Sequence, residues 1–174
     1  HLTLKELGYN SNNDHQEIVE RLENKDIGWA YADQSMFNPK LHNLMSLRKQ
    51  IIKRPVITTV EVLVKPVSSK NDMFFTGFVH KPYPPIYLEL SRNAQFNSAT
   101  VIRGTEGGII PSLRQTGKVH FYHSAGEQDD YYDVTPEDLG IVQSSSAVDI
   151  PGEITRKNTK DKIESKVDAV DIAK

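Results

Sequence analysis

The sequence predicts one α/β domain: a mostly parallel sheet with flanking helices and an antiparallel edge hairpin. Three observations lead there. MFFTGFVH, the helical run after KPYPP and ATVIRG follow one another as strand, helix and strand, the rhythm of a parallel pair joined by a right-handed crossover. KVHFYHSA and DDYYDVT then face each other across Gly126 as a hairpin at the sheet edge. At 174 residues the chain can bury one real core and is too short for two domains of ordinary size.

Composition narrows the class. Hydrophobic residues make up 37% and charged residues 25%, as in ordinary globular proteins. A net charge of -2 and a pI near 6.3 oppose attraction of the whole molecule to polyanions. Charge is unevenly spread, however: Lys40, Arg48, Lys49, Lys53, Arg54, Lys65, Lys70 and Lys81 face only Glu61 and Asp72 across the same third of the chain. Acid gathers instead at Glu127–Asp133. Without cysteine there is no disulfide, zinc-thiolate site or thiol nucleophile, which fits a reducing compartment. No apolar run reaches the roughly 18 residues of a membrane span, and the start is not a signal peptide. The expected location is cytoplasmic, with no membrane partner.

The elements can be justified in order. HLTLKELGYN reads as the last turns of a helix stopped by Gly8, and a chain starting in mid-helix reads as a piece of a longer protein. Asn12, Asn13 or Asp14 caps a helix carrying Ile18, Val19 and Leu22. IGWAYA reads as a short buried strand with Trp29 in the core. Pro39 starts a second helix, with Leu41, Leu44, Met45, Arg48 and Ile51 or Ile52 on one broad face, and Pro55 stops it. ITTVEVLVKP is β-branched yet bounded like a helical turn, so both readings stand; Pro66–Asp72 is a loop. Gly77 marks a place where another backbone or a ligand comes close to its strand. TPEDLGI suits a single helical turn. Residues 1–141 therefore read as the domain. Residues 142–174 read as a polar linker and an amphipathic helix, with Ile163, Val167 and Val170 on one stripe.

Two places invite chemistry. VIRGTEGGIIP is a strand entering a glycine-rich loop, where parallel sheets bind ligands. Gly104 and Gly107, with Gly108, would let backbone approach an anion beside Arg103; a turn serving only the fold explains the same glycines. The spacing matches neither the dinucleotide fingerprint nor the Walker loop. Arg48, Lys49, Lys53 and Arg54 form the second place. They could hold a carboxylate or phosphate in a cleft, join a stripe that neutralises nucleic-acid phosphates with Lys65, Lys70 and Lys81, or line a solvated helix face. His120 and His123, three apart on a strand, point to opposite faces, and His42 has no partner at helical spacing. No metal site and no catalytic residue is assigned from spacing.

Four blocks in order, KELGYN, DIGWAYADQSMFNPKLHNLMSLRKQIIKRP, VIRGTEGG and YYDVTPEDLGI, resemble the α/β domain of the anthranilate phosphoribosyltransferase family, the glycosyltransferase family 3 group. Asn38 to Pro66 aligns with the family without a gap. The resemblance implies a nucleoside phosphorylase/phosphoribosyltransferase-like fold, magnesium and phosphoribosyl diphosphate as ligands of an intact parent, and a homodimer formed through a helical part. By the same likeness Arg48 matches the arginine that contacts the anthranilate carboxylate, and Arg54 the second arginine of that block. Asn38 stands where the family has a histidine on the anthranilate side. Glu61 and Val62 replace a glycine-proline pair of the acceptor tunnel, and Ile109 and Ile110 replace an aspartate-glutamate pair that binds magnesium. Isoleucine offers no oxygen to a hard cation.

The family's diphosphate-binding glycine loop and lysine-histidine-glycine stretch precede the part matched here, and most of its C-terminal helical part follows it. The chain alone is therefore expected to hold no cofactor and not to make phosphoribosylanthranilate. These departures resemble a divergent branch that includes a nucleic-acid-binding member. The expected partner is nucleic acid or a phosphorylated small molecule; the alternative is phosphoribosyl transfer to an unknown nitrogenous acceptor.

Overall fold

The computed structural model describes residues 4, 8–10, 13–51, 55–112 and 115–142. These fall into two compact units, one within His1–Pro55 and one within Val56–Val148. Lys53, Arg54 and the linker and helix expected from residue 143 onward lie outside the described residues.

The first unit is helical. Helix α1 (His15–Glu23) starts at Asp14, whose carboxylate accepts the Glu17 N–H while the Glu17 carboxylate accepts the Asp14 N–H. This reciprocal pair satisfies two donors that a helix start would otherwise leave open. The expected buried strand at IGWAYA does not form. Gly28 donates its N–H to Asn24 O, and Tyr31 donates its N–H to the Tyr9 hydroxyl, so turn and side-chain partners take the bonds a ladder would use. Trp29 is 47% exposed rather than in the core. Its ring stacks on Tyr9 at 4.8 Å, with the Arg21 guanidinium 4.7 Å from the Tyr9 ring. The aromatic-plus-cation stack replaces burial as the source of its stability.

A short helix α2 (Gln34–Phe37) precedes Pro39, and the helix expected from Pro39 starts there but is broken into two short pieces, α3 (Pro39–His42) and α4 (Met45–Arg48). Asn38 separates α2 from α3: its backbone is non-helical, and its side chain caps Leu41 by accepting that N–H at 3.2 Å. The break in the expected helix falls at Asn43 and Leu44. The apolar face anticipated there is exposed at Leu44, Met45 and Ile51.

The second unit begins with α5 (Ile57–Val60), continued by a 3-10 turn over Glu61–Leu63, which settles the ambiguous stretch as helical. Strand β1 (Met73–Gly77), helix α6 (Tyr83–Asn93) and strand β2 (Ser98–Ile102) follow, then β3 (Gly117–Tyr122) and β4 (Asp130–Val134). The sheet order is β1-β2-β3-β4. β1 and β2 are parallel, while β2-β3 and β3-β4 are antiparallel, so the α/β class and the edge hairpin stand in a mixed sheet. The parallel share is smaller than expected because the chain after β2 turns straight back instead of crossing over through a helix. Glu137–Leu139 forms the single helical turn anticipated in TPEDLGI, with Gly140 in the left-handed region at its end.

The core lies between α6 and one face of the sheet. Phe74, Ala99 and Tyr122 sit side by side across β1, β2 and β3, and meet Tyr87 and Leu88 of α6, with Phe96 and Leu63 closing the end. Tyr83, Pro84, Tyr87, Leu88 and Ser91 recur at helical spacing, which is why that side of α6 faces inward while Ile86 stays exposed. The polar atoms inside are satisfied. Tyr122 donates its hydroxyl to Phe96 O and lies 3.0 Å from Ser91 Oγ, which donates to Leu88 O.

Candidate functional site

The site is built where β1 and β2 end. After Ile102 the chain extends the ladder by one bond, Arg103 N–H to Lys118 O, then folds into a 3-10 turn over Thr105–Gly107. A lone bridge between Gly104 and Pro111 closes the loop. A Cβ on Gly104 would collide with the Gly108 carbonyl, and a Cβ on Gly77 would collide with the carbonyls of Gly107 and Gly108. The close backbone approach anticipated at Gly77 is thus made by the glycine loop itself. Gly107 adds a left-handed φ of +80°.

The loop's own bonding decides what its backbone can offer. Gly104 donates to Ile102 O, Thr105 to Ile110 O, Gly107 to Gly104 O and Gly108 to Thr105 O. An anion here would be met chiefly by side chains, with Gly104 and Gly107 shaping the wall. A cleft of about 240 Å³ opens beside the loop, lined by Phe78, Val79, Arg103, Gly104, Thr105, Gly107, Ser112, Gln115 and Thr116. Three hydroxyls and one amide join the guanidinium, and Phe78 and Val79 give an apolar wall. Arg103 is exposed and, among the described residues, forms no ion pair with a carboxylate.

His120 lies at the back of this wall, edge-on to Phe78 at 5.7 Å and against Tyr131 at 5.6 Å. Burial, then the charge of Lys118, lowers its imidazole below the ordinary histidine range, so it stands neutral at pH 7.

Of the residues singled out from the sequence, Arg103, Gly104 and Gly107 meet at this cleft. Arg48 ends α4, and Lys49 follows it exposed, both in the other unit. Lys65 leaves the candidate basic stripe: its ammonium pairs with Asp72 at 2.9 Å, donates to Gln95 O and lies over the Phe96 ring. Asn38 is occupied as a helix cap. Thr105, Ser112, Gln115 and Thr116 were not singled out. Their one signal in the sequence was polar residues flanking Pro111, which a surface loop explains equally well.

Ile109 and Ile110, in the loop between Gly108 and Pro111, are 49% and 71% exposed. Their aliphatic side chains do not fit the magnesium role of the family's acidic pair. Among the described residues no three His, Asp or Glu side chains converge. Among them too, no helix is long and apolar enough to cross a membrane.

No family model matches the chain. It is 35% identical over 95 residues to an uncharacterized protein of Aquifex aeolicus (strain VF5), an alignment covering 55% of this chain and 30% of that protein. It is 24% identical over 143 residues to an anthranilate phosphoribosyltransferase of Novosphingobium aromaticivorans, covering 82% of this chain and 42% of that enzyme. A second anthranilate phosphoribosyltransferase, from Aquifex aeolicus, is 22% identical over 121 residues, covering 70% and 34%. The chain spans less than half the length of the curated relatives it matches. It is thus distantly similar to anthranilate phosphoribosyltransferases.

Proposed function

We propose that this is a phosphoribosyltransferase-like domain that binds a phosphate-bearing ligand, a nucleic-acid backbone or a phosphorylated small molecule, without making phosphoribosylanthranilate. The observation that carries the reading is Arg103, exposed at a cleft walled by three hydroxyls, at the end of the parallel pair. Arginine forms paired, charge-assisted hydrogen bonds to phosphate oxygens, and the strand ends of α/β sheets are where such ligands collect. The exposed Lys70 and Lys81 of the same unit supply further positive charge for a longer polyanion. Glu61, Val62, Ile109 and Ile110, where the family carries its acceptor-tunnel and metal residues, speak against anthranilate chemistry.

The test is binding of a labelled single-stranded oligonucleotide and of a nucleoside monophosphate across a salt series. Affinity that falls steeply with salt, and is lost in Arg103→Glu, supports the reading. Affinity indifferent to salt and to Arg103→Glu contradicts it. The distant likeness to two anthranilate phosphoribosyltransferases favours a second reading, phosphoribosyl transfer to another nitrogenous acceptor, with Arg48 orienting that acceptor. Consumption of phosphoribosyl diphosphate with any member of an aromatic amine panel would support it, and silence across the panel would remove it.

A further inference from the structure

Resting on that reading, we propose that the cleft holds a single phosphate group directly, without a divalent cation, and receives the apolar body attached to that phosphate on Val79 and the Ile109–Ile110 rim. A phosphate bound through magnesium needs oxygen ligands fixed near it. At positions 109 and 110 the loop presents two exposed isoleucines instead. Arg103 lines the cleft itself, and its planar fork can meet two phosphate oxygens at once. Thr105, Ser112 and Thr116 bring hydroxyls that donate to the remaining oxygens, and Gln115 an amide.

Size and character point the same way. At about 240 Å³ the cleft is smaller than the roughly 300–1,000 Å³ of pockets that enclose a whole ligand, so it takes a head group and leaves the rest outside. Exposed apolar side chains adjoin it in the chain: Val79 and Ile110 are more than half exposed, and Ile109 nearly so. A nucleoside monophosphate, whose phosphate is carried on a sugar with a flat aromatic base beyond it, offers both parts.

The experiment is calorimetric titration of the full 174-residue chain with inorganic phosphate and with adenosine monophosphate, each in EDTA and in magnesium. The expected result is saturable binding equal in the two conditions, tighter for the nucleotide than for phosphate. Arg103→Gln should weaken it roughly tenfold or more, the loss of a charged hydrogen-bond pair. Ile109→Asp with Ile110→Glu should weaken binding in EDTA, because two carboxylates then repel the phosphate; circular dichroism establishes that each variant is folded. Binding that appears only with magnesium overturns the inference and leaves the phosphate site standing. Equal affinity for phosphate and nucleotide overturns the apolar rim. No saturable binding in either condition overturns the site and this inference together.

Discussion

Gln95 holds a backbone conformation that side chains avoid. Its φ is +60°, just past the end of α6, where Gln95 N–H bonds to Arg92 O and Phe96 N–H to Ser91 O. This is the αL cap that glycine usually supplies. Gln95→Gly is expected to raise stability by up to about 1 kcal/mol, the left-handed strain relieved less the entropy glycine adds to the unfolded chain. Denaturant unfolding checks it, and a lower midpoint would refute it. Nearby, Asp72 accepts from Lys65 first, then from the backbone and hydroxyl of Ser69, and these bonds lower its pKa. A folded pKa below the unfolded one adds stability above the unfolded value, and that stability disappears as pH falls through the folded value. Acid titration of stability should therefore lose part of its slope below pH 4 in Asp72→Asn, and an unchanged profile would exclude the pair as a contributor. Gly77 could be read from the sequence because a glycine inside a strand has few other reasons to be there. Gln95 could not, since glutamine carries no mark of the conformation that tertiary contacts impose on it.

Helix α6 and the β3-β4 hairpin show how elements are tied across the sheet. Arg92 of α6 donates to Ala125 O, Glu127 O and the Asp129 carboxylate, and stacks 4.1 Å from the Tyr122 ring. One side chain thus fixes the whole turn between two strands. Arg92→Ala should speed hydrogen exchange across residues 124–129 while leaving the amides of β2 protected, which exchange mass spectrometry would read. Uniform loss of protection would mean that Arg92 holds the core and not the turn. The strands of this unit were readable because β-branched and aromatic runs lie between strong turn signals. IGWAYA misled for the opposite reason: a short apolar run is compatible with a strand, a core segment or an aromatic stack, and only partners distinguish them. The run from Pro39 misled because its apolar spacing continues through Asn43 and Leu44, where the chain makes a turn and Leu44 N–H bonds to Leu41 O, and spacing alone does not mark such a break.

Across the whole molecule, the charge count said least about function. Lys65 and Arg92 are spent on structure, Lys118 pairs with Asp133 at 2.8 Å, and the cation that lines the cleft among the described residues is Arg103. The glycine loop was visible in the sequence, but its role was not. The amides of Gly104, Thr105, Gly107 and Gly108 bond within the fold, and the surrounding side chains carry most of the chemistry the cleft has. Hydroxyl and amide residues separated by up to eleven positions give no shared periodicity, so only the folded chain brings Thr105, Ser112, Gln115 and Thr116 to one wall. The most direct measurement is a nitrogen-15 chemical-shift titration of the full chain with adenosine monophosphate. Saturable shifts centred on Arg103, Thr105, Ser112, Gln115 and Thr116, abolished by Arg103→Gln, are the predicted result. Shifts that never saturate, or that centre away from this cleft, would contradict the account.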